Sequence, residues 1–417
     1  MLKACSLERG GDPMRNGWSC NAARPFAAAL AVLLALSMTS SRTTAHAAGL
    51  PPRPERPAED RAAAAARLRQ AYQRDPATWP EPLVAPGVEW RELGPLPVVD
   101  HPADNPFSPE KAALGRILFH DPRLSRGGTL ACVSCHEPNL AWADGRVVAE
   151  PPGRKPRRNT PSILNAAFEP RLFWDGRASS LEEQVAEALT NAGEMAATPE
   201  RVEQLLSGSP GYRRLFAAAF PEGAITFPRV VAAVACFERT VVGGQSRFDD
   251  FLRGKAAALT DAELLGLDLF RREARCLTCH HGPTLSDGRF HNLGLSYYGR
   301  PHEDLGRQAI THASDDAGRF RTPGLRNVTR TGPHMHNGMF DLEGVLRMYN
   351  AGMVTAKRHP HQLDDPLFPV KSPLLRPLGL NRQDLDDLAA FLATLEEPRN
   401  HPRPPELPEI PAPDAGE

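Results

Sequence analysis

The chain has 417 residues, 41% hydrophobic and 24% charged, which is enough to bury a substantial core, most naturally over two domains. A formal charge of −1 gives no net basic field of the kind that nucleic-acid binding requires. Forty-two prolines and 33 glycines announce many turns and caps.

Residues 1–47 read as a cleavable export signal. Arg15 and Arg24 precede the apolar run FAAALAVLLALSM, and a polar stretch then ends in Ala45-His46-Ala47, a small-residue cleavage site. The run is short for a bilayer crossing, so the expectation is a periplasmic protein with no membrane span after processing; the alternative is an uncleaved anchor. Met14 is an alternative start. Five basic and two acidic side chains leave with residues 1–47, which takes the mature charge from −1 to about −4.

Residues 48–105 form a proline-rich extension with one helix candidate, EDRAAAAARLRQAYQRD. It reads as a segment that wraps or tethers. From residue 106 the helix signals become regular. Ser108 caps SPEKAALGRILFH, Thr198 and Pro199 open TPERVEQLL, and Thr260 with Glu263 forms a capping box before TDAELLGLDLF. NRQDLDDLAAFLATL closes the series. No alternating strand pattern runs more than a few residues. The fold class is therefore mainly α with long loops, divided into residues 106–254 and 255–397, and residues 398–417 read as a disordered tail.

The cysteines sort by position. Cys5 and Cys20 leave with the signal, and Cys236 sits alone in the apolar run RVVAAVACFERTVV as a core thiol. The other four form Cys132-x-x-Cys135-His136 and Cys276-x-x-Cys279-His280. Disulfides, zinc binding or thioredoxin-like chemistry are alternatives for paired cysteines in an exported chain. A two-residue gap followed at once by histidine, found twice, is the spacing of covalent haem attachment. Two covalently bound haem c groups are expected, with His136 and His280 as the proximal iron ligands, because the thioethers fix each porphyrin edge beside its histidine.

The two halves also repeat each other. NTPSILNAAFEPRLFWDGRASSLEE follows the first motif and RTPGLRNVTRTGPHMHNGMFDLEG the second. Thr160-Pro161 matches Thr322-Pro323, Asn165 matches Asn327, and Trp174-Asp175-Gly176 falls on His336-Asn337-Gly338. Duplication of one haem domain is the simplest account.

These motifs, together with FHNLG, resemble the bacterial di-haem cytochrome c peroxidase family and the MauG-type enzymes within it, over roughly residues 106–397. The resemblance implies two cytochrome c-like haem domains with a calcium between them. It places the family's distal glutamine and glutamate on Gln184 and Glu194, and an inter-haem tryptophan on Trp174. It implies calcium ligands at Asn159 and at the carbonyls of Thr331 and Pro333, although the same residues also read as simple turns. Arg146, Arg177 and Arg319 are candidate propionate partners, with surface ion pairs as the alternative. Ala188 stands where the family commonly has proline.

Two departures bear on function. Family members that need reductive activation carry a distal histidine shortly after the first motif. Here EPNLAWADGRVVAEPPGRKPRRN holds no histidine, methionine, tyrosine or cysteine, and Lys155 is the one nitrogen donor of any plausibility. Nothing in that loop caps the first iron. At the second iron the aligned ligand is Tyr349, with Met348 one step earlier and Met339 or Met353 as further alternatives. A phenolate would favour Fe(III), and a thioether Fe(II).

The expected activity is a peroxidase that reduces hydrogen peroxide with electrons from a small cytochrome c or a cupredoxin. One alternative is MauG-like oxidation of a partner protein's side chains. MauG-type enzymes carry a tryptophan just ahead of the second motif, where this chain has Ala274 and Arg275. The other alternative is an electron-transfer cytochrome with both irons six-coordinate. The resemblance also admits a homodimer.

Overall fold

The computed structural model describes residues 50–146, 158–221, 223–399 and 402–411. The export signal and Lys155 lie outside the described residues. The helices in chain order are α1 (Ala58–Tyr72), α2 (Pro109–Phe119), α3 (Leu181–Thr190), α4 (Pro199–Gly208), α5 (Pro210–Ala219), α6 (Phe227–Glu238), α7 (Arg247–Leu252), α8 (Asp261–Arg271), the single turn α9 (Gln308–Thr311), α10 (Leu342–Asn350) and α11 (Arg382–Ala393). Strands β1 (Phe290–His291) and β2 (Phe320–Arg321) pair antiparallel, with Phe290 opposite Arg321. The mainly α expectation holds. Among the described residues, no helix is long and apolar enough to cross a membrane.

Local chemistry sets the helix starts as the sequence reading anticipated. Ser108, Thr198 and Thr260 each accept a backbone N–H from the first turn, and Pro109 and Pro199 occupy positions where no N–H is needed. Two apolar cores then form. The first gathers Leu114, Leu118, Leu189, Tyr212, Val230 and Val234, and the second Leu264, Phe270, Leu388, Phe391 and Leu395. Each core is built on one close helix crossing. A Cβ on Gly115 of α2 would collide with the Ala233 carbonyl of α6, and one on Gly266 of α8 with the Asp387 carbonyl of α11. Glycine is required at both crossings because the two backbones touch.

The sequence repeat is a structural repeat. His136 Nδ1 lies 3.1 Å from the Trp142 carbonyl, and His280 Nδ1 lies 2.9 Å from the Leu285 carbonyl. Asn165 and Asn327 both take positive φ, at 66° and 61°. Each anchors the middle loop to the end of its half's last helix. Asn165 N–H donates to Val241 O and its Oδ1 accepts from Gly243 N–H, whereas Asn327 makes the same pair with Leu395 and Glu397. Leu172 then pairs with Ala178, and His334 with Phe340.

Three boundaries differ from the sequence expectation. The extension is part of the second core, because Tyr72, Trp79 and Leu93 are buried there. Its arginines bind acids on the core helices: Arg53 to Asp384 at 2.5 Å and Arg61 to Asp387 at 2.7 Å. Arg271, fully buried, is held by Glu92, Tyr72 and the Pro80 carbonyl. The division after residue 254 falls too late, since Phe248 and Phe251 of α7 also belong to the second core. Residues 402–411 are not a disordered tail. Ile410 packs on the first core, Pro408 lies against Gly211, and the Glu409 carbonyl accepts from Ser209 Oγ. Composition concealed these contacts because a few apolar anchors in a proline-rich strand suffice to hold it.

Candidate functional site

Both Cys-x-x-Cys-His motifs open onto one cavity of about 1340 Å³. That exceeds the roughly 300–1,000 Å³ of a pocket for one small molecule, so there is room for more than one large group. In each motif a carbonyl faces Nδ1. A carbonyl can only accept, so Nδ1 carries the proton and Nε2 keeps its lone pair. Burial pushes both histidines below their usual pKa, which keeps the rings neutral. A neutral imidazole with a free, oriented Nε2 is what iron ligation requires.

No disulfide joins the described cysteines. Burial pushes the thiols of Cys276 and Cys279 up to about 12, and that of Cys132 in the same direction, so none is an activated thiolate. One group of three potential metal ligands occurs among the described residues, Cys279, Asp287 and His291. His291 Nε2 and Asp287 Oδ2 are already paired at 2.7 Å, and no fourth ligand completes the tetrahedral set of a zinc site. The residues present fit two covalently tethered haems better than either alternative.

Two helices wall this cavity in equivalent ways. After the cap Ser180, α3 turns Leu181, Gln184, Val185 and Ala188 to the cavity. After the cap Asp341, α10 turns Leu342, Val345, Leu346 and Tyr349 to it. Both stripes run i, i+3, i+4, i+7 from the first helical residue, so Ala188 in the first half occupies the position of Tyr349 in the second. Burial raises the Tyr349 phenol, reinforced by the sulfurs of Cys279 and Cys276, which it faces. Met348 falls outside the stripe. Met339 is exposed beside the Tyr297 hydroxyl, and Met353 is buried away from the cavity wall.

Gln184 shares the α3 face with Leu181 as expected, and its Oε1 is buried with no partner. Glu194 lies in the loop beyond, exposed at the cavity edge, where Asn191 Nδ2 donates to it at 3.2 Å. Trp174 spans the two halves. Its Nε1–H donates to the Asn159 carbonyl at 2.8 Å, and its own carbonyl accepts from Arg321 N–H at 2.8 Å. Asn159 is buried, and it, Thr331 and Pro333 all line the cavity. Among the described residues, neither Thr331 nor Pro333 lends its carbonyl to a backbone hydrogen bond.

Of the arginines considered as propionate partners, Arg177 is held by Asp175 and Glu187 and lies 3.4 Å from the Phe173 ring centre. Arg319 pairs with Asp316, and Arg146 stands exposed on the cavity wall. Two features escaped the sequence reading. Arg158 joins the halves, binding Asp175 at 2.5 Å and Asp304 at 2.7 Å. Beside it, His336 stacks on Phe320 with ring centres 3.6 Å apart, and burial pushes it down to about 4. The second is Glu238 at the end of α6, 3% exposed and on the cavity wall. An acid closing an otherwise apolar helical run was the available signal.

Comparison with known proteins identifies the family. The family model for di-haem cytochrome c peroxidase matches residues 109–257. The chain is 38% identical over 347 residues to cytochrome-c peroxidase IdrP1 of Denitromonas iodatirespirans, covering 75% of this chain and 89% of the relative. It is 39% identical over 318 residues to methylamine utilization protein MauG of Methylorubrum extorquens, covering 75% and 85%. The crystal structure of a MauG-like protein associated with microbial copper homeostasis superposes with a TM-score of 0.65 at 38% identity, over 74% of this chain and 95% of the other. The diheme peroxidase BthA from Burkholderia thailandensis gives 0.59 at 25% identity, over 80% and 98%. Membership of a di-haem family implies haem c cofactors, and the chain belongs to the di-haem cytochrome c peroxidase and MauG family of peroxidase-type oxidoreductases.

Proposed function

We propose that the chain is a periplasmic di-haem peroxidase, reducing hydrogen peroxide to water with electrons from a small cytochrome c or cupredoxin. Cys132 and Cys135 would hold the first haem with His136 as an iron ligand, and Cys276 and Cys279 would hold the second with His280 and Tyr349 as iron ligands. The observation that carries this reading is the inequality of two equivalent helix faces: a methyl group at Ala188 and a phenol at Tyr349. The loop after His136 also lacks a conventional ligand side chain.

A haem in each half supplies redox-active iron and a store for one electron. The protein supplies the proton handling. Reduction consumes two protons and two electrons per peroxide and yields two waters. Glu194 accepts a proton from one peroxide oxygen and returns it to the other, which leaves as water when the O–O bond breaks, and the two electrons and two further protons convert the remaining oxygen to the second water. Its exposed position lets it re-equilibrate with solvent. Gln184, otherwise without a partner, holds the peroxide oxygens by hydrogen bonding. Trp174, bonded to both halves, relays electrons between the sites. Asn159 Oδ1 and the carbonyls of Thr331 and Pro333 would hold a calcium ion, since amide and carbonyl oxygens suit that hard cation, and the ion would steady the loop that carries the Trp174 acceptor.

Electron paramagnetic resonance of the oxidised protein tests the reading. One high-spin and one low-spin signal, followed by stoichiometric reaction with peroxide, is the expected result. Two low-spin signals with no reaction would indicate an electron carrier. The 39% identity to MauG favours a second reading, peroxide-dependent oxidation of a partner protein's side chain. Ala274, buried, and Arg275 stand where that route has tryptophan, so another surface residue would carry the transfer. Turnover with reduced cytochrome or cupredoxin separates the two. Mass spectrometry of the exported protein checks cleavage after Ala47, and sedimentation checks for a homodimer.

A further inference from the structure

The last residue of α6 stands out among the buried groups that the proposed chemistry leaves unused. Glu238 is 3% exposed, lines the cavity, and its Oε2 is fully buried with no hydrogen-bond partner. Its charged neighbours are committed elsewhere. Arg239 is bound through both terminal nitrogens to Glu182 of α3, at 2.6 and 2.9 Å, and Asn105 also donates to Glu182. Lys111 of α2 is held by Asn105 and the Pro106 carbonyl. Cys132 faces Glu238 electrostatically and also faces Glu194, so the two acids flank the first Cys-x-x-Cys-His motif. Thioether formation would remove the thiol from titration.

A carboxylate buried without a counter-ion is costly, so with no added cation beside it the group holds its proton. Burial, only partly offset by Arg239, pushes it up to about 8. It is therefore poised to respond to a nearby change of charge.

We propose that Glu238 is the redox-linked proton site of the first haem pocket: it takes up one proton when that site gains one electron and releases it when the electron leaves. This rests on the reading of Cys132, Cys135 and His136 as the first haem site. The electron reduces iron from Fe(III) to Fe(II). The proton comes from solvent and forms one O–H bond on the Glu238 carboxylate, and no bond breaks. Oxidised iron adds positive charge beside the carboxyl and favours the anion, whereas reduction removes that charge and favours the acid. Compensating the electron with a proton keeps the pocket near constant charge.

The test uses the two-haem protein and its Glu238→Gln variant, which keeps shape and removes titration. Spectroelectrochemical titration should give a first-haem midpoint potential that falls with rising pH across the neutral to mildly alkaline range in the wild type. It should be flat in the variant, with the second haem alike in both. Redox-induced infrared difference spectra of the wild type should show a protonated carboxyl band that grows on reduction, shifts in D₂O and is missing from the variant. Two attached haems with an unchanged pH slope in the variant overturn the proposal. If the variant loses haem, the wild-type infrared spectrum decides, and no carboxyl band there overturns the proposal too. Peptide mass spectrometry showing no haem on Cys132 and Cys135 of the wild type instead overturns the site assignment on which it rests.

Discussion

Ala188→Tyr copies the second half's helix face onto the first, and its consequences follow from where the residue sits. Position 188 is in the last turn of α3 on the wall of the cavity that would hold the haems. The direct cost is lower helix propensity, about 0.5 kcal/mol. If the phenol holds the sixth position 99:1, a preference of about 2.7 kcal/mol, about 1% of molecules accept peroxide and the apparent rate constant falls about 100-fold. Stopped-flow mixing with peroxide measures the rate, and electron paramagnetic resonance should show the high-spin signal replaced by a second low-spin one. Ala188→Val, which adds bulk without a donor, should keep the high-spin signal. Wild-type peroxide kinetics and an intact high-spin signal in Ala188→Tyr, with both haems attached, would refute the equivalence of the two helix faces.

The same geometry makes Tyr349→Phe change the low-spin haem spectrum while Met348→Leu leaves it alone, because only residue 349 lies on the cavity stripe; visible spectroscopy of both variants checks this. Trp174→Phe keeps an aromatic ring but loses the bond to the Asn159 carbonyl, for about 0.5–1.5 kcal/mol of stability. It should slow electron transfer between the haems without removing either, and unchanged transient kinetics would count against the relay. Arg158→Met removes the cation shared by Asp175 and Asp304. Breaking a buried pair costs about 3–5 kcal/mol. Arg177 still serves Asp175 and the Gly306 N–H still serves Asp304, which reduces the expected loss in denaturant titration to about 2–3 kcal/mol. Burial opposes ionisation of Asp304, but Arg158 outweighs it and holds the carboxyl below its usual range. That stabilisation is present above the unfolded pKa and is lost as pH falls through the folded one, so the variant should show a shallower acid-side loss of stability.

The sequence by itself determined the features that repeat or are read at short range. The two Cys-x-x-Cys-His motifs, the helix caps at Ser108, Thr198 and Thr260, and the matching Asn165 and Asn327 are local signals whose chemistry acts within a few residues. Gln184 was placed on the face of Leu181 because helical periodicity alone fixes that relation. Tertiary structure decided what depends on residues far apart in the chain. The extension's place in the second core rests on Arg53 and Arg61 finding acids more than 300 residues away, and the ordered stretch at 402–411 rests on Ser209 and Gly211. Arg158 reads as one arginine among many until folding brings Asp175 and Asp304 to either side of it. Tyr349 separates from Met348, and Ala188 gains its meaning, once both helices are seen to wall one cavity, because a side chain's direction is set by the element that carries it and its neighbours by the packing of the whole.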